Sequence, residues 1–288
     1  MLLYGLLGLA ILLVLWPTRA GGNRFLRRWG VADPTEEQAL HAVRYLRNRR
    51  LLYPPLFLLV PTATSAAADL FRLPAPQPSP LHHLTPIIVA LLLAEAIAAL
   101  RPVRGPRIAM LTCRHWRDLA PRWAMGLLLT FAAVAILLTT AGLLAQPWAR
   151  RSVDVSASIA PWFRAEVVQP LGILVIIGVT VGMAAVLGVV RPAVRRGSVA
   201  DPEVDAALRT RSARVALGIG IAWLGWMVIL ANNRLSALHG LRHSTQQPAP
   251  FWLDFVPALG LLGVIALLVS AAGWIWVANP STPRAGAR

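Results

Sequence analysis

Seven apolar blocks, separated by segments whose positive charge is all arginine, constrain this chain more than any other feature. They cover residues 2–16, 51–70, 85–100, 123–145, 167–190, 215–231 and 255–277. Each is too long for a soluble core strand, and a helix needs about 20 mostly apolar residues to cross a hydrocarbon core near 30 Å thick. The fourth, fifth and seventh blocks reach that length. The first and third are short, and Pro54, Pro55 and Pro61 interrupt the second. Composition agrees: 57% of residues are hydrophobic and 14% charged, where soluble domains carry roughly a quarter charged. The expected fold is an all-α, polytopic transmembrane helix bundle of seven spans in a single membrane domain, 1–288.

The arginines set the expected direction. All 28 basic residues are Arg, and the net charge is +16. With the N-terminus out and the C-terminus in, segments 17–50, 101–122 and 191–214 and the tail hold 22 of them, and the outer segments hold six. Short arginine-rich loops stay in the cytoplasm, so the split selects this orientation. It also removes the nucleic-acid reading, which needs the charge on one soluble face. The expected location is a bacterial cytoplasmic membrane, with anionic inner-leaflet lipid as the first partner. The first block is read as a retained span, because its arginines follow the apolar run where a signal peptide has them before it.

Inside the segment 17–50, a helix is expected from Asp33 to Arg50, with Asp33 as cap, Pro34 at the first position and Glu36 completing a box. Its Ala39, Leu40, Val43 and Leu46 share a face that suits the inner leaflet. Val31-Ala32-Asp33-Pro34 returns as Val199-Ala200-Asp201-Pro202, which reads as a degenerate repeat of helical hairpins. The second copy runs on as Glu203-Val204-Asp205-Ala206-Ala207-Leu208-Arg209-Thr210-Arg211-Ser212-Ala213-Arg214. This loop, the following span and the general layout resemble uncharacterised polytopic integral membrane proteins of actinobacteria. The resemblance implies a membrane fold and brings no activity or site residues with it.

Few residues suggest chemistry. Glu95 is a carboxylate inside an apolar block, about 7–8 Å along the helix from its inner end. Intramembrane carboxylates mark proton or cation sites, but at this depth it is expected to reach the inner surface or pair with an arginine such as Arg101. Asp69 is expected to pair with Arg72. His239 and His243 have the i, i+4 spacing of two ligands on a helix, with Asp254 and the outer His82 and His83 as further donors. Gly240 and the Ser244–Pro248 run make that stretch read as a loop, so no metal is assigned. The single cysteine, Cys113, lies near His115 and Asp118 with no third group or pocket implied.

Gly178 and Gly182 form a G-x-x-x-G, and Gly218 with Ala222 a small-x-x-x-small, both patterns for close helix packing. Trp223 and Trp226 share one helix face and read as packing residues. No cofactor motif is present in the sequence. The leading expectation is a non-enzymatic accessory or regulatory component of a transport or envelope system, acting through a membrane or cytoplasmic protein partner. The alternatives are a small secondary transporter using Glu95, and a membrane-embedded enzyme built on Cys113 or the histidines.

Overall fold

The computed structural model describes residues 2–14, 16–70, 84–100, 107–108, 119–156, 159–195, 198–199, 201–245 and 247–279. Among them the chain is all-helical but for one two-residue antiparallel pair, Arg107–Ile108 against Ser198–Val199. The helices are α1 (Leu2–Val14), α2 (Arg19–Arg28), α3 (Glu36–Arg50), α4 (Tyr53–Leu70), α5 (Leu84–Leu100), α6 (Arg122–Val155), α7 (Pro161–Val168), α8 (Leu171–Arg195) and α9 (Pro202–Ser244). A 3₁₀ helix over Phe251–Leu259 leads into α10 (Leu262–Ala278).

Among the described residues, three helices, α6, α8 and α9, are long and apolar enough to cross a membrane. A fourth candidate is the 3₁₀ helix joined to α10, bent by 45° between them. The fifth apolar block is broken: α7 ends at Val168, and α8 starts at Leu171 after Gln169-Pro170. Pro170 cannot donate an amide to a helix running through it.

The axis of the bundle is α9. Its most apolar stretch is 83% buried, against 39% for α6 and 33% for α8. Small residues let its neighbours in. A Cβ on Gly225 would sit 2.5 Å from Ser270 of α10, and one on Gly220 2.4 Å from Val186 of α8. Gly178 and Gly182 of α8 form the floor under Trp223, whose Nε1 donates to the Gly178 carbonyl at 2.7 Å. Gly218 faces Trp274 of α10, and Ala222 is buried one turn along. Trp226 is buried too.

These contacts make α8 and α10 antiparallel to α9, while Gly142 against Arg234 and Leu128 against Gly220 make α6 parallel to it. Gly5 against Leu58 and Gly8 against Pro54 set α1 antiparallel to α4. Consequently the ends of α1 and α3, the starts of α4, α6 and α9, and the ends of α5 and α10 gather on one side of the molecule. Trp123 and Trp276, both exposed, meet there with ring centroids 6.1 Å apart.

A small second core sits at that end. Leu26 of α2, Ala42 of α3, Val31 between them, and Val204, Ala207 and Leu208 of α9 are buried together. The cap of α3 differs from the expected one. Thr35 accepts from the Gln38 amide at 3.3 Å, and Gln38 Oε1 accepts from the Thr35 amide at 2.8 Å, a complete capping box. Asp33 lies outside the helix because this reciprocal pair, centred two residues later, satisfies the free amides. The apolar face of α3 also turns to protein: Ala39 and Val43 press on Gly22 of α2, within 2.8–2.9 Å of where its Cβ would be.

The proposed repeat is not used alike in its two copies. Asp201 caps α9, accepting from the amides of Glu203 and Val204, whereas Asp33 caps nothing. The copies are instead tied together, Gln38 Nε2 donating to Asp201 Oδ2 at 2.5 Å.

Candidate functional site

Glu95 is 1% exposed. It sits in the last turns of α5, where Ala94 and Ala96 leave room for neighbouring helices: Ala94 packs with Tyr53 and Phe57 of α4, Ala96 with Val189 of α8 and Ala216 of α9. Glu95 neither reaches the surface nor depends on its own helix for a partner. Its Oε2 makes an ion pair with Arg49 Nη1 from the last turn of α3, and its Oε1 lies 3.8 Å from Arg211 Nη1 of α9. Arg101 falls outside the described residues, as do Arg72, Cys113, His115, Asp118, His82 and His83.

Aromatic faces complete the cluster. The Arg49 guanidinium lies 4.7 Å from the centroid of Tyr45, and that of Arg211 5.7 Å from the same ring and 6.0 Å from Phe25. Such faces favour a cation in a place poor in water. The Tyr45 hydroxyl is fixed in turn by Ser212 Oγ at 2.6 Å. Arg209 pairs with Asp205 one turn earlier on the same helix. The arrangement fastens three helices through one carboxylate. Neutralising Glu95 would leave two buried guanidinium groups without their anion.

The sequence marked Glu95 and missed both partners, because Arg49 and Arg211 lie in arginine-rich segments expected to face the inner leaflet and the cytoplasm. Their surroundings become visible only when α3 and α9 fold back on α5.

Another buried arginine lies toward the opposite end. Arg234, 7% exposed, donates to Gln146 Oε1 at 2.7 Å and to the Val167 carbonyl. It lines a small cleft with Thr139, Gly142, Gln146 and Gly172. In the sequence it is one of six outer arginines, with nothing to set it apart.

The histidine stretch corrects an expectation: it is helix, since α9 continues to Ser244. His239 Nδ1 lies 2.9 Å from the Leu253 carbonyl, and His243 Nε2 3.1 Å from His239 Nε2. Arg242 pairs with Asp254, so that carboxylate is already engaged. Among the described residues, no three His, Cys, Asp or Glu side chains converge as a metal cluster.

Comparison with protein-family models, with curated proteins and with solved structures finds no match for this chain.

Proposed function

We propose that the chain is a multi-pass protein of a bacterial cytoplasmic membrane, seven spans with the N-terminus out and the C-terminus in. In this reading it belongs with the actinobacterial membrane proteins it resembles. It works without chemistry of its own, as an accessory or regulatory component of a transport or envelope system. One observation carries the reading. Helices α2 and α3 display Arg19, Arg24, Arg27, Arg28, Arg44 and Arg47 to solvent, and this layer is tied to the apolar bundle by the buried Glu95 cluster and by Gln38–Asp201. A basic platform rigidly joined to membrane helices suits a surface that binds anionic lipid or an acidic partner and passes the load to the bundle.

The buried carboxylate favours the transporter as second reading, and the two separate by mutation. In cells lacking the gene, the accessory reading expects Arg24→Glu/Arg27→Glu/Arg44→Glu/Arg47→Glu to fail to restore the phenotype at normal membrane levels. It expects Glu95→Met/Arg49→Met/Arg211→Met, which removes the cluster's charges together, to restore it. The reverse pattern would support transport through Glu95 and end the accessory reading.

A further inference from the structure

The two histidines near the end of α9 form a chelating pair, and we propose that they bind one divalent first-row transition metal ion. The site is independent of the arginine platform and lies at the opposite end of the molecule.

The distances carry the proposal. Metal–nitrogen bonds of about 2.0–2.1 Å place two coordinated nitrogens about 2.8–3.0 Å apart at a right angle and about 3.3–3.4 Å apart at the tetrahedral angle. His239 Nε2 and His243 Nε2 are 3.1 Å apart, between the two. The rings meet nearly perpendicular, at 80° with centroids 4.6 Å apart, so the two nitrogens converge without the rings stacking.

The tautomer is favourable as well. The Leu253 carbonyl can only accept, so its contact with His239 Nδ1 assigns the proton to that nitrogen and leaves a lone pair on Nε2. A carbonyl in this position orients a metal-bound histidine in the same way. His243 now places its Nε2–H toward that lone pair. Moving its proton to Nδ1, which needs no net loss of charge, offers the second lone pair to the ion. Two further features assist. The pair occupies the last turns of α9, where free carbonyls favour a cation. The adjacent Arg242 charge is offset by Asp254. With two protein ligands, solvent completes the coordination, which describes an exchangeable site and not a closed structural one.

The test uses the full chain, purified in detergent with a histidine-free tag and stripped with EDTA. Cu(II) is the probe because it stands highest among these ions. Electron paramagnetic resonance is expected to show one Cu(II) per chain with two equivalent nitrogens. His239→Ala and His243→Ala should each weaken binding at least tenfold, while His41→Ala and His82→Ala/His83→Ala leave it unchanged. His243 is exposed, so its variant tests the site without threatening the fold. Unchanged Cu(II) binding in His239→Ala/His243→Ala, or no stoichiometric binding in the native chain, overturns the proposal.

Discussion

Glu95→Gln should be the most damaging single substitution at the arginine-rich end, and its cost can be worked from the cluster. The Arg211 contact at 3.8 Å is worth about 4 kcal/mol of gross attraction at an effective dielectric near 20. The Arg49 contact is closer. The side chains of Arg49 and Glu95 are at most 5% exposed and that of Arg211 13%, so solvent does little to screen either pair. Glutamine keeps the shape and removes the charge, leaving two guanidinium groups that repel and lack an anion. Breaking a buried pair in this way costs about 3–5 kcal/mol. At about 2 °C per kcal/mol for a chain of this size, the midpoint of thermal unfolding falls by roughly 6–10 °C. Circular dichroism in detergent micelles would measure it. Glu95→Met/Arg49→Met/Arg211→Met should melt close to the native chain, because apolar residues of similar volume replace buried ion clusters at little cost. A single Gln variant melting within 1 °C of native would refute the reasoning, since a carboxylate that matters so little could not be holding three helices.

Gly182→Ala places a methyl 2.3 Å from the Trp223 ring, so it should destabilise by about 1–3 kcal/mol; Gly188→Ala, which meets nothing within 4 Å, should gain up to about 1 kcal/mol of helix propensity, and unfolding scans of the two decide it. Burial pushes the Asp201 carboxyl up, but hydrogen bonds from the Gln38 side chain and the Val204 and Glu203 amides more than reverse this and hold its pKa below the ordinary value. Its contribution is therefore complete above about pH 4 and fades as pH falls through the lowered value. Hydrogen exchange at Glu203 and Val204 should accelerate there in the native chain and lose that pH dependence in Asp201→Asn. A membrane-impermeant maleimide should miss Cys113 in intact cells and label it in inverted vesicles; labelling of intact cells would reverse the proposed orientation.

The apolar blocks were legible because burial in lipid or in protein selects the same residues. Their boundaries were not. Hydropathy found 215–231, about 26 Å of helix, inside α9, whose 43 residues extend about 64 Å at 1.5 Å per residue. Its polar ends stay helical because neighbours cover them: Val204, Ala207 and Leu208 against α2 and α3 at one end, fully buried Leu238 and Leu241 near the other. Gly240 in the sequence suggests a break. It faces open space, and a single glycine, at about 1 kcal/mol against alanine, cannot interrupt a helix clamped on both sides of it. Glu95 stood out because a carboxylate among leucines is rare. Its partners did not, since an arginine's burial is decided by which helices fold over it.

That dependence orders the assembly. Arg211 and Glu95 are brought together by α5 and α9 alone, but Arg49 and the Tyr45 ring that faces both guanidinium groups belong to α3. A bundle without the α2–α3 layer would expose a carboxylate and an arginine at the rim of an apolar surface, with the Val204–Ala207–Leu208 face uncovered beside them. The layer cannot be a detachable domain resting on a finished bundle. Its exposed arginines face outward because its few apolar residues and one buried arginine face inward, so any partner that pulls on the platform pulls on the helices packed beneath it.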